Sequence, residues 1–402
     1  MRTPIELPAP AAKVRMDGTA RARSGEETWR RIQPYLEGAG ITRVADVTDL
    51  DYVRIPVAMA VRPLSESLAV SQGKGATRTL AKISAAMESL ETWHAENIRL
   101  PIEYGSHSGS DLPYATISEF GSHLRRPLVK DEVIAFYPAA GILSGNTVPA
   151  PRGLVDISFA RCDFRMNPFR ETSSGLASGN TAAEAALHAI YEVFERDSSA
   201  SIGRASSRRI PIDLQSIDHT YCKTLIGRML DAGWDVELDA ICSRFGVPTF
   251  VAAVFSPEYP VECSGAGAHG DWAIAVTRAL TEAAQTRLTG IAGTRDDLPV
   301  IPIWERLQNG STMREVRELR SIGEAMNELD FDPIDSDCIT TDLLVAARRA
   351  EAVTGHEPIY LDITHPDFSG DLAVVKLLVP GTAADRRGGI PGRGQALIAE
   401  AG

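Results

Sequence analysis

The sequence is short of cysteine: it has five, Cys162, Cys222, Cys242, Cys263 and Cys338, and no two stand at C-x-x-C spacing. That pattern argues against a zinc site and a disulfide framework and fits a reducing cytoplasm. No apolar run approaches the length of a membrane span. The N-terminal stretch carries Asp17 and Glu26 and has no apolar core segment, so it does not read as a secretory signal. Positive charge is also in deficit. Lys and Arg total 41 against 53 Asp and Glu, a formal net charge of -12. A sequence-independent grip on nucleic acid needs clustered cations and is not expected here. A nucleotide held through metal ions stays open. Also missing are a G-x-S-x-G elbow, H-E-x-x-H, a kinase signature, a G-x-x-x-x-G-K-[ST] loop and a G-x-G-x-x-G after a strand.

What is present is the profile of a globular chain, 44% hydrophobic and 23% charged, long enough to bury a sizeable core. Residues 1–23 are rich in Pro, Ala and Arg and read as an arm. Ser24 and Glu27 have capping-box spacing before a short helix over 29–37. Residues 53–62 are β-branched and apolar enough for a strand. SQGKG at 71–75 reads as a glycine turn that leads into a helix ending near residue 97. Further helices are expected over 181–199, 216–232, 271–288 and 339–352. Strands are expected over 235–242, 248–255, 358–363 and 372–379. Alternating strands and helices point to an α/β or mixed α+β fold.

Three segments share one plan, a glycine turn followed by an Ala-rich helix with E-x-x-E or E-x-x-Q. They carry Glu88 and Glu91, then Glu192 and Glu195, then Glu282 and Gln285. Such self-similarity suggests three related units around one centre. On a helical wheel Glu91 falls inside or beside the apolar stripe of the first helix, with Ser84 and Glu88 on its flank. In the second helix Glu184 and Glu195 share the stripe's edge, and Glu192 lies further round. Any one of these glutamates alone is an ordinary solvated side chain. Together they point to function, because carboxylates near a core are costly unless paired or bound to metal. Mg²⁺ prefers such oxygen ligands and bridges carboxylates to nucleotide phosphates. Lys74, between two glycines, can serve an anion or an ordinary turn. Arg196 and Arg287 can clamp phosphate or form structural ion pairs. TRDD at 294–297 reads as a structural helix stop. His94, His188 and His269 have no partner at metal-ligand spacing and read as core or surface histidines.

These residues resemble the YcaO family. The resemblance is carried by SQGKG with Ser84, Glu88 and Glu91, by GLASGNTAAEAALHAIYEVFERD at 175–197, and by GAGAH together with ALTEAAQTRLTGIAGTRDD up to residue 297. It runs from about residue 40 to 381. It divides the chain into an arm and short helix (1–39), a YcaO-like catalytic domain (40–381) and an exposed tail (382–402). GITRVADVTDLDYVRIPVAMAVRP at 40–63 looks most like the branch found with a TfuA-like partner. The resemblance implies an ATP- and Mg²⁺-dependent enzyme, a homodimer, that acts on the backbone of a precursor peptide or protein. A nucleophile adds to an amide carbonyl, ATP phosphorylates the oxyanion, and phosphate leaves. A neighbouring Cys, Ser or Thr then yields an azoline, and a sulfide equivalent yields a thioamide.

Carried over by position, Glu88, Glu91, Glu184, Glu192 and Glu195 match the metal-binding carboxylates of the family. Lys74, Ser84, Asn180, Arg196, Gln285 and Arg287 match its nucleotide contacts. Azoline-forming members often end in a Pro-rich tail, whereas this chain ends GIPGRGQALIAEAG and shows no additional N-terminal partner-like domain. Both departures imply thioamide formation with a TfuA-like partner. The alternatives are an azoline-forming cyclodehydratase and a non-catalytic, peptide-recruiting subunit.

Overall fold

A computed structural model of the chain describes residues 9–106, 120, 123, 124, 126, 128, 129, 132–158, 167–170, 172–201, 209–294, 323–368 and 370–383. Cys162, the two aspartates of TRDD and the tail from residue 384 lie outside them. Among the described residues every pairing between named strands is antiparallel. The N-terminal hairpin consists of β1 (Val14–Met16) and β2 (Thr19–Arg21). Helix α1 (Gly25–Ile32) follows, with Ser24 Oγ accepting from Glu27 N–H at 3.3 Å as the capping spacing predicts. A three-stranded sheet has the order β3 (Arg43–Asp46), β4 (Val57–Val61), β5 (Val70–Lys74), and α2 (Arg78–Glu96) packs on it.

The strands β6 (Glu103–Ser106), β7 (Val133–Gly141), β8 (Thr147–Pro151) and β9 (Leu176–Gly179) join a second sheet, and α3 (Ala182–Ser201) packs on it. A third sheet comprises β10 (Arg209–Pro211), β11 (Asp235–Ile241), β12 (Thr249–Ser256) and β13 (Tyr259–Ala268) in sequential order. The helices α4 (Thr220–Asp231) and α5 (Trp272–Ala292) pack against this sheet. Finally α6 (Ile339–Thr354) covers α3, and β14 (Ile359–Asp362) and β15 (Ala373–Leu378) complete the second sheet between β7 and β9. The fold is thus mixed α/β. Among the described residues no helix is long and apolar enough to cross a membrane.

Three strand–helix units, β5–α2, β9–α3 and β13–α5, bring their helices together. Each strand carries a glycine that lies against the helix backbone. A Cβ on Gly73 would run into Ala85 N and the Ala81 carbonyl, and one on Gly265 into Ala283 N and the Ala279 carbonyl. Gly179 faces Ala185 in the same way. Those alanines are fully buried. Small residues on both sides let helix and strand approach until the backbones touch.

This contact corrects the reading of SQGKG as a turn. Ser71 to Lys74 form the end of β5, because Gly73 is needed inside the strand, and the chain turns only at Gly75. The strand β13 went unread for the same reason, since YPVECSGAGA has the composition of a loop. Residues 9–23 are no free arm either: β1–β2 packs into the body, and Gly18 with φ 70° lies against Thr277 of α5.

Gly265→Ala should therefore cost more than about 3 kcal/mol, since rigid backbone would have to move. Gly227→Ala on α4, where a Cβ meets nothing within 4 Å, should stabilise by about 0.5–1 kcal/mol. Denaturant unfolding of both variants checks the pair; equal midpoints would contradict the close-packing explanation.

Candidate nucleotide and metal site

The facing sides of α2, α3 and α5 line one cavity of about 680 Å³, with the β1–β2 hairpin forming a further wall. The helix α2 presents Ser84, Glu88 and Glu91. The helix α3 presents the row Glu184, His188, Glu192 and Arg196, four residues apart and so stacked along one face. The helix α5 presents Arg278, Glu282 and Gln285. Lys74 enters from the end of β5, and Asn180 from the turn before α3.

Each carboxylate has a defined environment. Gln72 N–H donates to Glu88 at 3.1 Å, and Ser178 Oγ donates to Glu91 at 3.1 Å. Burial, reinforced by the charges of Glu192 and Glu88, raises the Glu91 pKa well above the ordinary value. Arg196 Nε donates to Glu192 at 2.8 Å, and Lys74 Nζ donates to Glu282 at 2.7 Å. Glu195 does not line the cavity but sits behind it, accepting from Ala268 N–H at 3.1 Å. Burial and the neighbouring Glu282 raise its pKa to about 7 against the pull of Arg278 and Lys74.

Two sequence expectations meet a different placement. Arg287 does not reach the cavity. It is buried, donates to Asp51 at 2.9 Å and to Ser256 at 2.8 Å, and lies over the Trp234 ring at 4.7 Å. Its charge is already matched inside the third sheet's core. Glu184 lines the cavity, but its oxygens accept from Ala22 N–H at 2.7 Å, from Arg21 at 3.4 Å and from the Asn180 amide. It pins the N-terminal hairpin to α3.

Arg21, Arg23, His188 and Arg278 also line the cavity and were not singled out as site residues. His188 and Arg278 have a signal in the four-residue spacing to Glu184, Glu192 and Glu282. The arginines of the hairpin have none. Lys376 was missed too. It is fully buried on β15 and donates to the Thr172 carbonyl at 2.5 Å. Burial lowers its pKa to about 7, against the pull of Glu192 and Glu91.

Carboxylate oxygens and cationic side chains thus share one cavity. Among the described residues no three His, Cys, Asp or Glu side chains are gathered into a cage for one ion. The carboxylates stand instead as near neighbours, Glu91 with Glu88 and Glu192, and Glu195 with Glu282 and Glu192. Mg²⁺ does not require an all-protein cage. It is commonly held by one or two carboxylates plus phosphate oxygens, so this donor set fits Mg²⁺ carrying a polyphosphate. The arginines and Lys74 suit the remaining phosphate charge.

A family model described as YcaO cyclodehydratase, ATP- and Mg²⁺-binding, matches residues 72–383. An uncharacterised protein of Mycobacterium tuberculosis (strain CDC 1551 / Oshkosh) is 36% identical over 370 residues, covering 90% of this chain and 82% of its own. A Rhizobium leguminosarum bv. trifolii protein, named only for its place in the tfuA 3′ region, is 33% identical over 393 residues, with 92% and 90% covered. Among solved structures, YcaO from Methanopyrus kandleri bound with AMPPCP and Mg²⁺ superposes with a TM-score of 0.69 at 22% identity, covering 92% of this chain and 94% of that one. A heterocyclase in complex with substrate and cofactor gives a TM-score of 0.75 at 21% identity, covering 95% of this chain and 55% of that longer one.

The raised carboxylate pKa has a consequence for stability. The folded chain keeps the Glu195 proton up to about pH 7, whereas the ordinary value is 4.5. This contribution is therefore full below about pH 4.5 and is lost as the pH rises through about 7. Glu91 shifts in the same direction. The melting temperature of the metal-free chain should fall over this window, and Glu195→Gln should flatten the fall. Parallel melting curves for the two proteins would contradict the assigned environment.

Proposed function

Because the chain belongs to the YcaO family, we propose that its carboxylate-lined cavity uses ATP and Mg²⁺ to activate a peptide-backbone amide, and that the product is a thioamide made with a TfuA-like partner. The observation that supports ATP-dependent activation is the meeting of carboxylates and cations from three helices in one cavity. The relative from a tfuA region supports the sulfur outcome. Glu88, Glu91 and Glu192 would hold Mg²⁺, with Glu195 behind them adding to the negative field, and the ion when bound supplies charge neutralisation at the phosphates and polarises the transferred phosphoryl group.

Lys74, Ser84, Asn180, Arg196 and Gln285 are assigned to the nucleotide. Lys74 and Arg196 each already lie against a carboxylate, Glu282 and Glu192, so their charges are oriented toward the cavity before a ligand arrives. Glu184 is assigned to holding the hairpin wall, and Arg287 to the core of the third sheet.

Hydrosulfide, free or delivered by the partner, forms a C–S bond at the amide carbonyl, and the C=O π pair moves to oxygen. The oxyanion takes the γ-phosphoryl group of ATP and releases ADP. Phosphate then leaves with the original amide oxygen and the sulfur's proton, and C=S remains. An amide oxygen is a poor leaving group; phosphorylation makes it a good one.

The family model's description as a cyclodehydratase favours a second reading, in which a Cys, Ser or Thr side chain supplies the nucleophile. The two products differ in the sign of their mass change. A thioamide adds about 16 Da and an azoline removes about 18 Da. Mass spectrometry of a precursor peptide treated with the chain, partner, ATP, Mg²⁺ and sulfide should show the gain, and only with sulfide present. A loss of water that requires a Cys, Ser or Thr and no sulfide would replace the thioamide reading with the azoline one.

A further inference from the structure

Behind the main cavity lies a second, smaller recess of about 30 Å³. Arg21, Glu184, His188 and Arg278 belong to the walls of both spaces, so the recess opens off the proposed active site with little more than a side chain between. Its remaining polar wall comes from Lys13, Thr19, Tyr191 and His269, and its apolar wall from Leu187, Ile274 and Ile339. A water fills about 10–15 Å³ of such space, so the recess has room for about two waters or one somewhat larger small ion.

Several hydrogen-bond donors line the recess. The Tyr191 hydroxyl is buried beside the Gly270 N–H, and its own proton has no acceptor among the described residues. His269 Nδ1 accepts from Asp271 N–H at 2.9 Å, which leaves the proton of the neutral ring on Nε2 as a donor. Arg278 donates to His188 Nε2 at 2.6 Å, so His188 cannot use that nitrogen as a donor. That contact also leaves the Arg278 guanidinium facing a neutral ring, since burial beside Arg278 and Arg21 lowers the His188 pKa well below its ordinary value. The carboxylate on the wall is already engaged: Glu184 takes Arg21, Ala22 and Asn180. Lys13 lies on Asp335 and Asp342 and Arg21 on Glu184, so it is the Arg278 charge, set against a neutral ring, that favours a monoanion over water in the recess. Aliphatic side chains on the other wall favour a soft, weakly hydrated anion over a strongly hydrated one.

We propose that this recess is the binding site for hydrosulfide, held by Tyr191, His269 and Arg278 beside the cavity in which the amide is activated. The assignment rests on the thioamide reading above and gives the sulfur atom its waiting place in that reaction. Neither main-chain cleavage nor redox change is involved. Hydrosulfide leaves the recess as the nucleophile of the C–S bond-forming step already written.

The test uses crystals of the full chain soaked in sodium bromide, a monoanion of similar size that is located by anomalous scattering. Bromide should occupy the recess, and sodium hydrosulfide should displace it. Ile274→Phe, which fills the recess from α5, should abolish the bromide peak. Tyr191→Phe, which keeps the shape and removes one donor, should raise the KM for sulfide by about tenfold and leave the KM for ATP unchanged. An empty recess, bromide that hydrosulfide does not displace, or an unchanged sulfide KM in Tyr191→Phe overturns the proposal. If the anion binds as expected while the peptide product shows loss of water, the site stands as an anion site, the sulfur role is overturned, and the thioamide reading fails with it. If a thioamide forms and the recess stays empty, only the present assignment fails.

Discussion

Like charges placed together in a partly dry cavity repel, and the rest of the site is arranged around that constraint. Glu88, Glu91, Glu192 and Glu282 face one space, with Glu195 just behind. Burial and mutual repulsion raise the pKa of Glu91 and Glu195 together. A fold gains nothing in stability from such a cluster. Cations offset part of the repulsion. Lys74 lies on Glu282 and Arg196 on Glu192, and the ammonium of Lys376 acts on Glu91 and Glu192 from inside the second sheet. A divalent cation carrying phosphates would meet the same need and would return the raised carboxylates to their anionic form.

The convergence itself depends on very small residues. Gly73, Gly179 and Gly265 remove the side chains that would hold α2, α3 and α5 away from their strands, and alanines on the helices complete the contact. The polar side of each helix is then the side left facing the centre. The hairpin closes the remaining wall. It is fastened by Glu184 from α3 and by Arg23, which donates to the Asn180 carbonyl at 2.9 Å. One carboxylate of the cluster thus acts as a structural anchor, and the cost of burying it is offset by its full set of donors.

Much of this was legible in the sequence because helices announce themselves over many residues. The helices α2, α3, α4 and α6 fall within a few residues of their expected ranges, and α5 runs further, to the left-handed Gly293. The glutamates were found through repetition rather than through any single motif. Three things were not legible. The strand β13 and the end of β5 look like loops, because their glycines answer to the backbone of the helix that follows, a contact that composition does not show. The role of the hairpin depends on a contact between Ala22 and Glu184, 162 residues apart. Arg287 sits at motif spacing, yet Asp51 and the Trp234 ring, both distant in sequence, claim its charge. In the last two cases the deciding partner is remote along the chain, so local pattern carries no trace of it.

The central claim is that the carboxylates of the three helices bind nucleotide only through a divalent cation. Calorimetric titration of the full chain with ATP, with and without Mg²⁺, tests it most directly when Glu91→Gln is titrated alongside. The account predicts tight binding with Mg²⁺, little without it, and no gain from Mg²⁺ in Glu91→Gln, whose fold is retained because Gln keeps the shape. Equal ATP affinity with and without Mg²⁺, or an undiminished Mg²⁺ effect in Glu91→Gln, would contradict it.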